Sequence, residues 1–344
     1  YNRSFPTGTI TEPPPIAVTF AESDYNGFNI TCRGYNDGFI KVTSVTGGNG
    51  GPYSYLWTTD GGNIPGPANT DRLDNIPAGT YYLETTDIRG CVRRDTIILN
   101  EPEGMTLDNS ELSHSPDSVY NISCNGGNDG TIDLTISGGA KPYSYLWTDS
   151  ASYSAITEDI KDLTAGTYVC KVTDSNGCEL KIPPLSVYPA FTLTEPSAIF
   201  FHAITSTSAD GSYNINCNDS TGWVDLNVTG GSGGSYVVTW STEDGAGIIP
   251  GETDQPSLNA GTYHVNVKDA NNCEKDTIIV LTQPDSLTAS LVPTHITCQP
   301  AGFANGSIDM TAGGGIAPYG GWNWSNGAVT EDISGLTEGY YRIT

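Results

Sequence analysis

The sequence predicts an all-β protein made of sandwich domains in tandem. Three observations carry that expectation. One set of landmarks recurs four times along the 344 residues. No segment keeps a helical apolar period over a window of about 11 residues. Gly and Pro together supply 62 residues. They cluster with Asn and Asp between short runs that alternate apolar and polar residues, as half-buried strands do.

The landmarks march together. A first cysteine stands at Cys32, Cys124, Cys217 and Cys298, at spacings of 92, 93 and 81 residues. A tryptophan follows at Trp57, Trp147, Trp240 and Trp324, then a glycine before a tyrosine-bearing strand at Gly79, Gly166, Gly261 and Gly339. Such a period is too long for a solenoid unit and suits one small domain per copy.

In chain order, 7–13 resembles the end of a copy, because TGTITEP matches TIILNEP at 96–102. A Glu/Gln-Pro junction closes each copy at Pro13, Pro102, Pro196 and Pro284. Proline there fixes φ and ends the ladder. First strands are expected at 16–20, 105–109, 198–204 and 287–292. A short NITC-type strand and an Asn/Asp/Gly turn come next, then the FIKVTSV-type strand and a Gly-Gly turn. In the YSYLW strand, Tyr53, Tyr55 and Trp57 share one face, as do Tyr143, Tyr145 and Trp147. After a variable loop, the GTYxVxV strand turns Tyr81, Tyr168 and Tyr263 inward. A closing strand such as RRDTIIL completes about seven strands per copy.

The expected organisation is a last strand of a preceding copy at 1–12, copies at 13–102, 103–196 and 197–284, and an incomplete copy at 285–344. L-x-x-G-T-Y matches the tyrosine corner of immunoglobulin-like sandwiches, and the tryptophans take the place of the strand-C tryptophan. The fold expected is therefore a series of immunoglobulin-like β-sandwiches. The short proline junctions would make it an elongated, semi-rigid rod.

Eight cysteines occur, with no CxxC and no Cys/His cluster at metal spacing. Cys32 and Cys91, Cys124 and Cys178, and Cys217 and Cys273 bracket the copies. Their recurrence suggests one disulfide per copy and an oxidising compartment; free buried thiols are the alternative. A strict immunoglobulin strand order would set the two members of each pair at opposite ends of a sandwich, so pairing and topology cannot both hold. Cys170 stands on the inward face of its strand and reads as a small core residue.

A net charge of −25 leaves no basic patch for phosphates and argues against a nucleic-acid partner. No apolar run is long enough to span a membrane. The chain begins and ends inside the repeat pattern, and so reads as a window on a longer secreted polypeptide. His114, His202, His264 and His295 fall at unrelated places in their copies, and no recurring Ser/His/Asp set or acid pair appears. The expectation is a protein without enzymatic activity. Calcium is the one cofactor the sequence raises. Asp37 and Asp129 sit in Asn-Asp-Gly turns, and Asp87, Asp174 and Asp269 precede the second cysteine. Side-chain capping of the turns themselves is the competing reading.

The combination of C-x-GG-x-x-DG-x-I, GG-x-PY-x-Y-x-W, L-x-x-G-x-Y-x-V-x-V-x-D and NGC resembles the SprB repeat of Bacteroidetes surface proteins. It is clearest from Cys124 through Gly138, Pro142, Tyr143, Trp147, Gly166, Tyr168 and Asp174 to Cys178. The third copy departs from it with Asn218-Asp219-Ser220 and Ser235-Tyr236. The resemblance implies a long, secreted adhesin filament on the cell surface. It also implies export by the type IX system, an external surface or glycan ligand, and contact with motility or secretion machinery that drives gliding. Thr96, Ser118, Ser150, Ser220, Thr277 and Ser286 each follow an Asp in a pattern similar to the O-glycosylation acceptor of such secreted proteins. The function expected is a stalk segment serving attachment. The alternatives are a fibre subunit assembled by strand donation and a glycan-binding surface module.

Overall fold

A computed structural model of the chain describes residues 8–60, 63–181, 187–297 and 304–344. Among these residues there is no α-helix, and none of the structure is a helix long and apolar enough to cross a membrane.

The first copy shows the architecture. Its strands are β1 (Ala17–Glu22), β2 (Gly38–Thr46), β3 (Ser54–Asp60), β4 (Arg72–Ile76), β5 (Gly79–Thr86) and β6 (Val92–Leu99). They form two antiparallel sheets, ordered β1-β2-β4 and β3-β5-β6. Named A, B, C, E, F and G in chain order, these are the A-B-E and C-F-G sheets of an immunoglobulin sandwich. The alternation seen in sequence is what sorts the faces. In β5, Tyr81, Leu83 and Thr85 are buried. Ile40, Val42, Trp57, Leu73, Tyr81, Leu83, Ile97 and Leu99 meet in one core drawn from both sheets.

The second copy repeats the order with Thr106–Leu112, Gly130–Ser137 and Ile160–Leu163 in one sheet. Its other sheet holds Ser144–Asp149, Gly166–Thr173 and Ala190–Leu193, with a two-residue strand, Ser154–Ala155, added at the edge. The third copy does the same with Ser197–Thr205, Gly222–Gly231 and Gln255–Leu258 against Val237–Thr242, Gly261–Lys268 and Glu274–Leu281. The fourth shows one sheet, of Thr288–Thr294, Gly306–Gly313 and Ile333–Leu336.

Two expectations need correction. The NITC segment is no strand. Ile30, Ile122 and Ile215 are buried all the same, and in the first copy the backbone leans on the end of the last strand, with Asn29 and Ile30 both donating to the Asn100 carbonyl. The first copy thus has six strands rather than seven. Residues 8–12 form no strand; the rest of the segment expected as a preceding last strand, 1–7, lies outside the described residues.

By packing, the chain divides into two compact units. One is built on residues up to Ser113 together with Gly127–Thr194. The other is built on His114–Gly126 together with residues from Glu195 on.

Candidate functional site: the cysteine-locked seams

The sandwich places the two cysteines of a copy far apart. The opening cysteine lies in the loop before β2, and the closing cysteine in the turn between β5 and β6. That turn meets the loop at the other end of β2, where Asn49 N–H donates to Asp87 at 2.7 Å. The nine residues of β2 put roughly 30 Å between the two ends. The pairs Cys32–Cys91, Cys124–Cys178 and Cys217–Cys273 are therefore not formed. Instead Cys32 bonds Cys178, and Cys124 bonds Cys273. Each disulfide joins the opening cysteine of one copy to the closing cysteine of the next. Cys91 and Cys217 are exposed free thiols, and Cys170 is a buried one. Burial pushes the Cys170 thiol up to about 12, as its core position requires. Cys298 lies outside the described residues.

Hydrogen bonds set each seam. Asn176 Nδ2 donates to the Thr31 carbonyl at 3.0 Å and to the Tyr25 carbonyl at 3.2 Å. Its Oδ1 accepts from Asn26 Nδ2 at 2.6 Å. In the second seam Asn271 Nδ2 donates to the Ser123 carbonyl at 3.1 Å, and its Oδ1 accepts from the Asp117 N–H at 3.2 Å. An amide side chain suits this place because it donates and accepts at once. The closing sulfur sits 3.2 Å from the same carbonyl in both seams.

Asp87, Asp174 and Asp269 hold the closing turns. Asp174 Oδ1 accepts from the Asn176 and Cys178 N–H groups at 2.9 and 2.8 Å, and Oδ2 accepts from Ala140 N–H at 2.9 Å. Asp269 repeats this with Asn271, Cys273 and Ser232. Asp87 does so with Arg89, Cys91 and Asn49. The Asn49 backbone N–H, followed by those of Cys91 and Arg89 and the Asn49 side chain, holds the Asp87 carboxyl well below the usual carboxylate range, against the opposing effect of burial. For these three residues the hydrogen bonds are those of the turn-capping reading: their oxygens accept from backbone amides. Asp37 accepts from Thr31 N–H at 3.2 Å and from its hydroxyl, and Asp129 is exposed in its turn. Among the described residues no group of three His, Cys, Asp or Glu is placed to hold a metal ion.

The opening loops are fixed by residues whose role sequence reasoning missed. Glu101 and Glu195, from the Glu-Pro junctions, accept the N–H of Gly34 and Gly126 at 2.6 and 2.7 Å. Gln283 does the same for Asp219 at 3.2 Å. The junction thus caps the turn that follows the opening cysteine. The signal was in the chain as the recurring Glu/Gln-Pro pair.

The aromatic landmarks are structural. Tyr81, Tyr168, Tyr263 and Tyr341 each donate to the carbonyl four residues upstream, at 2.8, 3.0, 2.8 and 3.0 Å. Trp57, Trp147, Trp240 and Trp324 each donate Nε1 to a threonine carbonyl, of Thr70, Thr157, Thr253 and Thr330. Of the glycosylation candidates, Thr96, Ser118, Ser150 and Ser286 are exposed, and Ser220 and Thr277 are partly so.

The arrangement defines a class: immunoglobulin-like copies in tandem, with the first copy cross-linked to the second and the second to the third. Two stretches of the chain, residues 28–62 and 117–152, match the family model of the SprB repeat. No curated protein matches. Among solved structures, the four N-terminal Ig domains of Dscam1 isoform 6.9 are similar at 12% identity over 89% of this chain and 86% of that one, with a TM-score of 0.22. The insect immune protein hemolin is similar at 14% identity over 88% and 89%, with a TM-score of 0.23. Overlays this loose bear no weight, and the fold assignment rests on the strand order above.

Proposed function

We propose that this chain is a non-enzymatic, load-bearing stalk segment of an extracellular cell-surface adhesin. The observation that carries the reading is the pairing of two opening cysteines, Cys32 and Cys124, with the next copy's closing cysteine. A bond inside each copy would protect that copy alone. Bonds that interleave along the chain limit how far it extends when a sandwich unfolds. Disulfides also persist in oxidising surroundings outside the cell. The SprB-repeat matches support a surface location and, through the family, a role in attachment and gliding by way of secretion and motility machinery. The tryptophans and corner tyrosines are spent on the core, which leaves ligand recognition to parts of the adhesin other than these cores. Exposed Ser118 and Ser150 suit decoration with glycans.

Antibody fragments raised against residues 13–344 test the reading on intact cells. Surface labelling that blocks attachment is expected. Labelling only after permeabilisation would contradict it.

A further inference from the structure

We propose that the loop carrying Cys217 is a docking site for a closing turn of the form Asp-x-Asn-x-Cys, locked by a disulfide to Cys217. The turn has the chemistry of those that Cys32 and Cys124 receive, in which an aspartate precedes an asparagine and the closing cysteine.

The first argument is that the third opening loop is built as the second one is. Ser208 Oγ donates to Asp210 at 2.6 Å, as Ser115 donates to Asp117. Tyr213 N–H donates to Ser208 Oγ at 3.0 Å, as Tyr120 N–H does to Ser115 Oγ at 3.0 Å. Ser208 and Ser115 are both buried, and so are Ile215 and Ile122. The Asn216 carbonyl therefore stands where the Thr31 and Ser123 carbonyls receive Asn176 and Asn271.

The second argument is independent. A cavity of about 810 Å³ opens beside Cys217, lined among others by Asn216, Met310, Gly315, Ile316 and Trp322. Ile316 follows the Gly314-Gly315 turn, and its counterparts are Asn49, Ala140 and Ser232. Each of those donates its N–H to a closing-turn aspartate. One cavity thus brings together both anchor points of a closing turn: the opening cysteine's loop and the residue after the Gly-Gly pair. The Cys91 turn of a second molecule fits less well. Arg89 stands where the asparagine should be and has no acceptor atom.

Forming the bond in the protein oxidises two thiols, whose two electrons and two protons pass to a disulfide oxidant that is reduced to a dithiol. In the test the peptide Asp-Ser-Asn-Gly-Cys is supplied as its mixed disulfide with glutathione. The Cys217 thiolate attacks the peptide sulfur and releases glutathione thiolate. Labelling is read at each cysteine by peptide mapping, with exposed Cys91 as the internal control. Cys217 should be labelled faster than Cys91. Replacing the peptide's Asn by Ala should cut that preference roughly fivefold, what one neutral hydrogen bond supplies. Equal labelling of both cysteines, no effect of the Asn, or Cys91–Cys217 multimers formed in preference to the peptide adduct would each overturn the proposal.

Discussion

Asp87 shows how one side chain can carry a turn and a pH dependence together. Its folded pKa is depressed, so the stability it contributes is present above the unfolded value of 3.8 and is lost as pH falls below that toward the folded value. Acid unfolding of the first copy should therefore steepen below about pH 4. In Asp87→Asn that steepening should vanish, while stability at neutral pH drops. Denaturant titrations across pH, read by tryptophan fluorescence, check this; an unchanged acid limb in the variant would remove Asp87 from the account. The aspartates before the closing cysteine were visible in sequence as Asp87, Asp174 and Asp269. Their job was not, because a carboxylate spaced for calcium and one spaced to cap a turn look alike until the amides around it are seen.

At the scale of the element, the strands were legible because alternation and turn residues both reported the same edges. The tyrosine and tryptophan strands fall where the pattern put them, with Trp57, Trp147 and Trp240 buried. The NITC segment misled because Ile30 and its counterparts are buried like strand residues, yet they belong to no strand. The loop after the tryptophan strand looked variable, and most of it is. Its end is not. The Thr whose carbonyl holds the tryptophan is followed by Asp159, Asp254 and Asp332, whose Oδ1 accepts the N–H of Leu134, Leu226 and Met310 at 2.9–3.0 Å. The Gly-Gly turn is an element of the same rank. Gly138 has φ +74°, and a Cβ there would lie 2.2 Å from the Gly104 carbonyl oxygen. Gly126 has φ +70° with open space around it. Gly126→Ala should cost about 1–2 kcal/mol, the left-handed penalty alone. Gly138→Ala should cost clearly more, since backbone cannot yield as a flexible side chain can. Equal losses in equilibrium unfolding would show that the linker is not wedged as described.

At the scale of the molecule, the two disulfides overlap along the chain. They join Cys32 to Cys178 and Cys124 to Cys273, closing loops of 146 and 149 residues. Three stretches of 92, 54 and 95 residues then run in parallel between the two bonds. Under load the shortest, 124–178, limits the span to about 190 Å, against about 870 Å for the reduced chain from 32 to 273, at ~3.6 Å per residue. Pulling single molecules by those two positions, with and without reductant, should show this difference; equal lengths would deny the bonds a mechanical role. The sequence contained every cysteine and the repeat, and the strand order it implied already conflicted with pairing inside a copy. What it lacked was the neighbour, because a seam is made by residues some 150 positions apart. Non-reducing peptide mapping of the purified chain is the most direct test. Linked peptides carrying Cys32 with Cys178 and Cys124 with Cys273, with Cys91 open to alkylation, are expected. Linked peptides carrying Cys32 with Cys91 and Cys124 with Cys178 would contradict the seams and the load-bearing role built on them.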